Sequence, residues 1–159
     1  MDVDQTDSSL IYLARPIDFA GAYDLGHIVG AISDALVTRG YIIYDPGAGA
    51  FNAPQDVATG GTGIRKVNEY VQSISCATVA LLFSDIHSVG VPMEIHAAHS
   101  AQRPLVILGD MAASSWSLRG VGHHVPLRLD ASDTQVDESV RNIVEFMDRH
   151  VSRGGPQSY

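Results

Sequence analysis

Thr78-Val-Ala-Leu-Leu-Phe83, running into Ser84-Asp-Ile-His-Ser-Val-Gly-Val-Pro-Met-Glu-Ile-His-Ala-Ala-His99, is the stretch whose reading decides the fold. The first six residues carry no charge and suit a strand buried on both faces, as in a parallel sheet. The polar turn Ser84 to Ser88 ends that strand. Gly90 permits close backbone approach, and Pro92 suits the first position of a helix, where no amide hydrogen is needed. Glu94 is then expected in the first helical turn, beside free N–H groups and the positive end of the helix dipole. Ala97, Ala98 and Ala101 leave a slim face that can lie against a sheet. A loop of this kind can hold an anion while the carboxylate faces an electrophilic carbon. Taken alone, Glu94 reads equally well as a favourable first-turn acid on a solvated helix.

Working outward, Leu10-Ile-Tyr-Leu-Ala14 is a compact buried-strand candidate stopped by Arg15-Pro16. From about Gly21 to Thr38 the apolar residues Leu25, Ile28, Val29, Ile32 and Leu36 recur at helical spacing, and Gly40 closes the helix. Tyr41 to Asp45 is a second strand. Pro46 to Gly63 is rich in Gly, Ala and Pro without steady periodicity and reads as a long binding loop. Its continuation, Gly60-Gly61-Thr62-Gly63-Ile-Arg-Lys66, lacks the Gly-Lys-Ser/Thr ending of a triphosphate loop. Ile64 to Ser75 is a helix with Val67, Val71 and Ile74 facing inward. Pro104 to Leu108 and Val125 to Leu129 are the fourth and fifth strands, with His123-His124 read as a turn. Val136 to about Val151 is an amphipathic helix. These elements place a single domain at residues 10–151, between a flexible N-terminus (1–9) and a disordered tail (152–159).

Alternating strands and helices predict an α/β fold: a Rossmann- or flavodoxin-like parallel five-stranded sheet with helices on both faces. Ligands of such sheets sit outside the carboxyl ends of the strands, near the switch in strand order. Arg15-Pro-Ile-Asp18 and Ser84 to Glu94 both follow strands, so both loops fall on that edge and can face one another.

Composition narrows the partners. The 159-residue chain has a formal charge of -8, which argues against DNA or RNA, whose binding needs clustered Lys and Arg. A small phosphorylated ligand remains compatible, since one Arg and a helix N-terminus can hold it. Cys76 is the sole cysteine, which excludes an intramolecular disulfide and a Cys-based zinc cluster. The opening residues are acidic and polar, no run approaches membrane-spanning length, and a cytoplasmic location is expected.

Ile11-Tyr-Leu-Ala-Arg-Pro-Ile-Asp18 together with Ser88-Val-Gly-Val-Pro-Met-Glu-Ile95 resembles the nucleoside 2-deoxyribosyltransferase superfamily. Its members open on a Tyr-x-x-Gly-x-Ile strand and carry a Gly-x-x-x-Glu segment whose Glu is the nucleophile. Within it the chain looks most like the CMP and hydroxymethyl-CMP N-glycosidases, nucleoside 5'-monophosphate hydrolases of nucleoside-antibiotic pathways. Those enzymes have Ser at the place of Ser88, against the 5'-phosphate, where the transferases have an acid that a phosphate dianion would repel. Ser115-Trp-Ser-Leu-Arg-Gly120 resembles a segment that supplies a phosphate ligand across a dimer interface. Arg15 stands where the superfamily usually has Gly, and Tyr70 stands where many relatives carry an Asp.

The resemblance implies a catalytic Glu94 that stabilises or captures an oxocarbenium-like C1', and a substrate shell of Tyr12, Arg15, Ile17, Asp18, Phe19, Ser88, Gly90 and Ser115. Arg15 would read cytosine as a forked donor, with Asp18 next as proton donor or base contact. Arg15 also reads as a surface ion pair, Asp18 as a helix cap and Tyr12 as ordinary core. The implied partners are a small nucleotide and a second copy of the chain sharing the site. No cofactor and no metal are expected; His96 and His99 are three apart on a helix, but no motif places a third ligand.

Overall fold

The computed structural model describes residues 7–16, 24–46, 67–111 and 115–151. Five strands form one parallel sheet: β1 (Asp7–Ala14), β2 (Ile42–Tyr44), β3 (Ser75–Leu81), β4 (Leu105–Gly109) and β5 (His123–Pro126), in the order β2-β1-β3-β4-β5. The pairing aligns Tyr12 with Tyr44 and with Thr78, Ala80 with Ile107, and Leu108 with Val125. The strand order reverses between β1 and β3, and helices cover both faces, which is the expected Rossmann-like architecture.

Period-two alternation assigns the two faces. Ile11, Leu13, Ala77, Val79, Leu81, Val106 and Leu108 point to one side. There they meet Ile28, Ile32 and Leu36 of α1 (Gly26–Thr38) and Val136, Val140, Ile143 and Met147 of α3 (Asp133–His150). Tyr12, Ala14, Ala80, Leu82 and Ile107 point to the other, against Val91, Ile95, Ala97 and Ala98 of α2 (Gly90–Ser100). The two alanines are what let α2 lie close to the sheet. α3 starts in a capping box, with Ser132 Oγ accepting from Gln135 N and the Gln135 side chain accepting from Ser132 N. No described helix is long and apolar enough to cross a membrane.

Several boundaries differ from the sequence reading. β1 starts at Asp7, three residues before its apolar run. β3 starts at Ser75 and ends at Leu81, so Leu82 and Phe83 are a buried exit from the strand. The helical segment before it, α-helical at 67–69, closes as a π-helical turn, Tyr70–Ile74, with Ser75 Oγ donating to the Tyr70 carbonyl at 2.6 Å. His123 and His124 lie in β5 and are not a turn. The turn falls one residue earlier, at Gly122, whose φ of +68° puts the left-handed kink there. α2 begins at Gly90, two residues before Pro92. The Val91 N–H donates to Ser88 Oγ at 3.2 Å, which satisfies one free amide and lets the first turn form upstream of the proline. Residues 17–23, 47–66 and 152–159, which include the long loop and the expected tail, lie outside the described residues.

Gly109 ends β4 at φ +143°, and a Cβ built there would lie 1.9 Å from the Leu82 carbonyl oxygen. Gly109→Ala is expected to destabilise the protein by roughly 3 kcal/mol or more, combining backbone strain with overpacking. Gly30, inside α1 with nothing within 4 Å of its Cβ position, is the control. Gly30→Ala should gain up to about 1 kcal/mol. Urea unfolding of both variants checks the contrast.

Candidate active site

The site is built at the carboxyl edge where β1 and β3 diverge. Tyr12 sits in β1, fully buried, and its side chain points to the α2 face. Glu94 occupies the fifth position of α2 and is 8% exposed. It is therefore not in the first turn: the early start at Gly90 moves it past the four free amides, and burial against the sheet replaces the helix end as its environment. The Tyr12 hydroxyl donates to Glu94 Oε1 at 2.7 Å. Burial, reinforced by the negative charge of Glu94 and by that hydrogen bond, holds the Tyr12 hydroxyl far above the ordinary phenol range. Tyr12 thus stays protonated and fixes one carboxylate oxygen.

Around this pair the structure sets Tyr44 and Asp45, which the sequence reading did not single out, against Tyr70 and Arg15, which it did. Tyr44, at the end of β2, lies 5.7 Å from the Tyr12 ring and stacks on Tyr70 at 4.0 Å with an interplanar angle of 2°. The stack depends on the π-helical turn that begins at Tyr70, a feature frequent at functional sites. Arg15 Nε donates to Asp45 Oδ1 at 2.9 Å, with the two side chains 23% and 13% exposed. The ion-pair reading of Arg15 is realised, and the pair tethers the guanidinium at the exits of β1 and β2. Asp45 and Tyr44 could have been found from the β1–β2 pairing, because residues ending adjacent strands share an edge.

Ser88 and Ser115 meet in a second feature. Both line a cavity of about 270 Å³, together with Ser84, His87, Pro92, Met111 and Ser117. Ser115 Oγ and Ser117 Oγ are 2.9 Å apart, and Ser84 donates through N and Oγ to Asp110 at 2.7 and 2.8 Å, tying the loops after β3 and β4. The two serines of the sequence reading therefore share one cavity within a single chain. Gly90 opens α2 beside it. Ile17, Asp18 and Phe19 lie outside the described residues. His96 and His99 are exposed, with His96 Nε2 at 3.4 Å from Ser100 Oγ, and among the described residues no group of three or more His, Cys, Asp or Glu side chains is arranged to hold a metal.

No family model matches the chain, and no curated protein matches it in sequence. Solved structures do match in shape. The CMP N-glycosidase of Clostridium botulinum superposes with a TM-score of 0.56 over 86% of this chain and 98% of that one, at 12% identity. A de novo designed Rossmann 2x3 protein superposes at 0.53 over 96% and 99%, also at 12% identity. A 2-deoxyribosyltransferase of Bacillus psychrosaccharolyticus aligns at 0.49, over 80% of this chain and 95% of that one, at 13% identity, too loose a likeness to carry an argument. The chain thus has a Rossmann-like fold that a nucleotide N-glycosidase also has. A designed protein matches nearly as well, so the fold by itself assigns no activity.

The Tyr12–Glu94 bond is expected to be worth measuring energy. Tyr12→Phe removes the hydroxyl that donates to a buried carboxylate and should cost about 1–3 kcal/mol in stability. A double-mutant cycle with Glu94→Gln should return a coupling of at least about 1 kcal/mol. Additive single-mutant effects in urea unfolding would show that the bond contributes nothing.

Proposed function

We propose that the protein is an N-glycosidase that hydrolyses a pyrimidine nucleoside 5'-monophosphate, CMP or 5-hydroxymethyl-CMP, to free base and ribose 5-phosphate. The observation that carries this reading is a buried carboxylate, oriented by a protonated tyrosine, beside the strand-order switch of a Rossmann-like sheet. The Ser88/Ser115 cavity adjoins the start of the same helix. Glu94 attacks C1' as the bond from C1' to the base nitrogen breaks, and the bonding pair leaves with the base, which takes up a proton. Water then attacks C1', loses a proton and releases the Glu94 carboxylate. Tyr12 holds Oε1 and thereby orients the carboxylate. Ser88, Ser115 and the amides at the start of α2 receive the 5'-phosphate. Arg15, held through Nε by Asp45, turns its remaining donors to the cytosine edge.

A homodimer belongs to the same reading. Met111 lines the serine cavity, and Val89, Met93 and Trp116 adjoin its lining residues along the chain; the four, Met111, Val89, Met93 and Trp116, are 40%, 66%, 52% and 82% exposed. A second copy seated on them would bury the tryptophan as an anchor and close the mouth of the cavity.

The decisive experiment incubates the protein with CMP, with and without a second free base, and follows cytosine by chromatography. Release without an acceptor supports hydrolysis; release only with one identifies a base-exchange transferase; no release with any pyrimidine nucleotide leaves a nucleotide-binding module. Glu94→Gln should retain CMP binding and lose more than about a thousandfold in kcat, the scale on which a reacting group is missed. Near-normal turnover would remove Glu94 from the chemistry. Arg15→Gly should lower kcat/KM for CMP by ~2 kcal/mol or more and for AMP by less, since a charge-assisted donor matched to cytosine has no such partner on adenine. Equal losses across all nucleotides, with nucleosides spared, would make Arg15 a phosphate ligand instead. Trp116→Asp should turn a dimer into a monomer in sedimentation velocity; an already monomeric wild type would end the shared-site reading.

A further inference from the structure

At the opposite, amino-terminal edge of the sheet, two adjoining hollows of about 580 and 520 Å³ share His123, Phe146 and His150 as a common wall. Phe146 lies between the two imidazoles, with ring centroids 4.9 Å from His123 and 4.3 Å from His150. His99 and Arg103 line the first hollow, and His124, Glu145 and Arg149 the second. Arg103 is anchored there: Nε donates to the Gln72 carbonyl at 3.1 Å and Nη2 to the Ser73 carbonyl at 3.4 Å. In a chain of formal charge -8, four of the seven histidines and two arginines gather at this corner.

Helix dipoles explain only part of the gathering. α2 and α3 both end here, and His99, Arg149 and His150 lie in their last turns, where a negative half-charge per helix favours cations. Glu145 adds one further negative charge and lies 3.9 Å from Arg149, while Asp148 is paired to Arg39 at 3.3 Å on another side. Arg103 and Arg149 already balance Glu145 and the two helix ends. A histidine here that takes up a proton adds a positive charge beyond that balance. His123 lies on a strand, and the dipoles give no reason for it.

We propose that this corner is a binding site for a small multiply charged anion of the phosphate or pyrophosphate class, held more tightly when its imidazoles carry protons. Arg103 supplies the permanent charge, and His123, His150 and His99 supply imidazole nitrogens at the wall, with Arg149 on its far side. The His123 imidazole is held below its ordinary range by burial, then by His150, His124 and Arg149. An anion between these groups removes that repulsion and raises the affinity of His123 for its proton.

The test is a histidine NMR titration of the full chain with inorganic phosphate and, separately, pyrophosphate at pH 6 and pH 8. Expected are saturable shifts of the His123 and His150 resonances, binding at least tenfold tighter at pH 6, and a His123 pKa raised by the anion. His150→Asn and Arg103→Gln should each weaken binding tenfold or more, and His150→Asn, at an exposed position, keeps the test valid if Arg103→Gln fails to fold. Ser88→Ala and Glu94→Gln should leave these shifts intact, which separates this site from the proposed nucleotide pocket. Absence of saturable shifts, shifts lost only in Ser88→Ala, or affinity equal at the two pH values would each overturn the proposal.

Discussion

Burial of β3 on both faces is the constraint from which the other placements follow. Every residue from Ser75 to Leu81 is buried, so both faces must be covered and both edges paired. Each buried Val or Leu side chain is worth roughly 1.5–3 kcal/mol relative to exposure, which makes an edge position for this strand untenable. With β1 on one side and β4 on the other, the chain reverses its strand order at the β1–β3 boundary. Such a reversal is where sheets of this kind hold their ligands. α2, returning across the Tyr12 face, has to pack its alanines on the sheet, and that packing brings Glu94 to Tyr12.

The contact between those two residues sets the electrostatics of this edge. A buried carboxylate is costly unless a donor answers it, and Tyr12, kept protonated by its own burial and by Glu94, answers one oxygen. The remaining polar groups of the edge are arranged in separate units. Arg15 with Asp45 closes the β1–β2 exit, Tyr44 with Tyr70 forms an aromatic wall, and the serines occupy their own cavity toward β4. A designed Rossmann protein of the same shape underlines that such units, and not the backbone, must carry any function.

The two edges of the sheet also differ in electrostatic character. Parallel strands with antiparallel helices send α2 into the sheet with its N-terminus at the carboxyl edge and its C-terminus at the other. A free-amide end thus adjoins the serine cavity, whereas the carbonyl ends of α2 and α3 gather at the histidine corner. One topology accordingly yields an edge with a buried carboxylate and an edge where imidazoles and guanidiniums gather at two carbonyl ends.

Much of this was legible in the residues themselves. The uncharged run Thr78 to Phe83, the helical spacing of Ile28, Ile32 and Leu36, and the strand–helix alternation determined a parallel α/β sheet, because side-chain periodicity is a local property. The same alternation put Arg15 and Ser88 on one edge. Boundaries were less legible. His123 and His124 look like turn residues, yet Gly122 makes the turn and pairing with Val106 and Ile107 draws both histidines into β5. Glu94 looked like a first-turn acid until the Ser88 hydroxyl, capping Val91, moved the helix start upstream. Tertiary structure alone decided the partners: Glu94 with Tyr12, 82 residues apart, Arg15 with Asp45, 30 apart, and Tyr44 against Tyr70. No local pattern encodes such pairs, since each depends on which strands become neighbours and on how far a helix is shifted along the sheet.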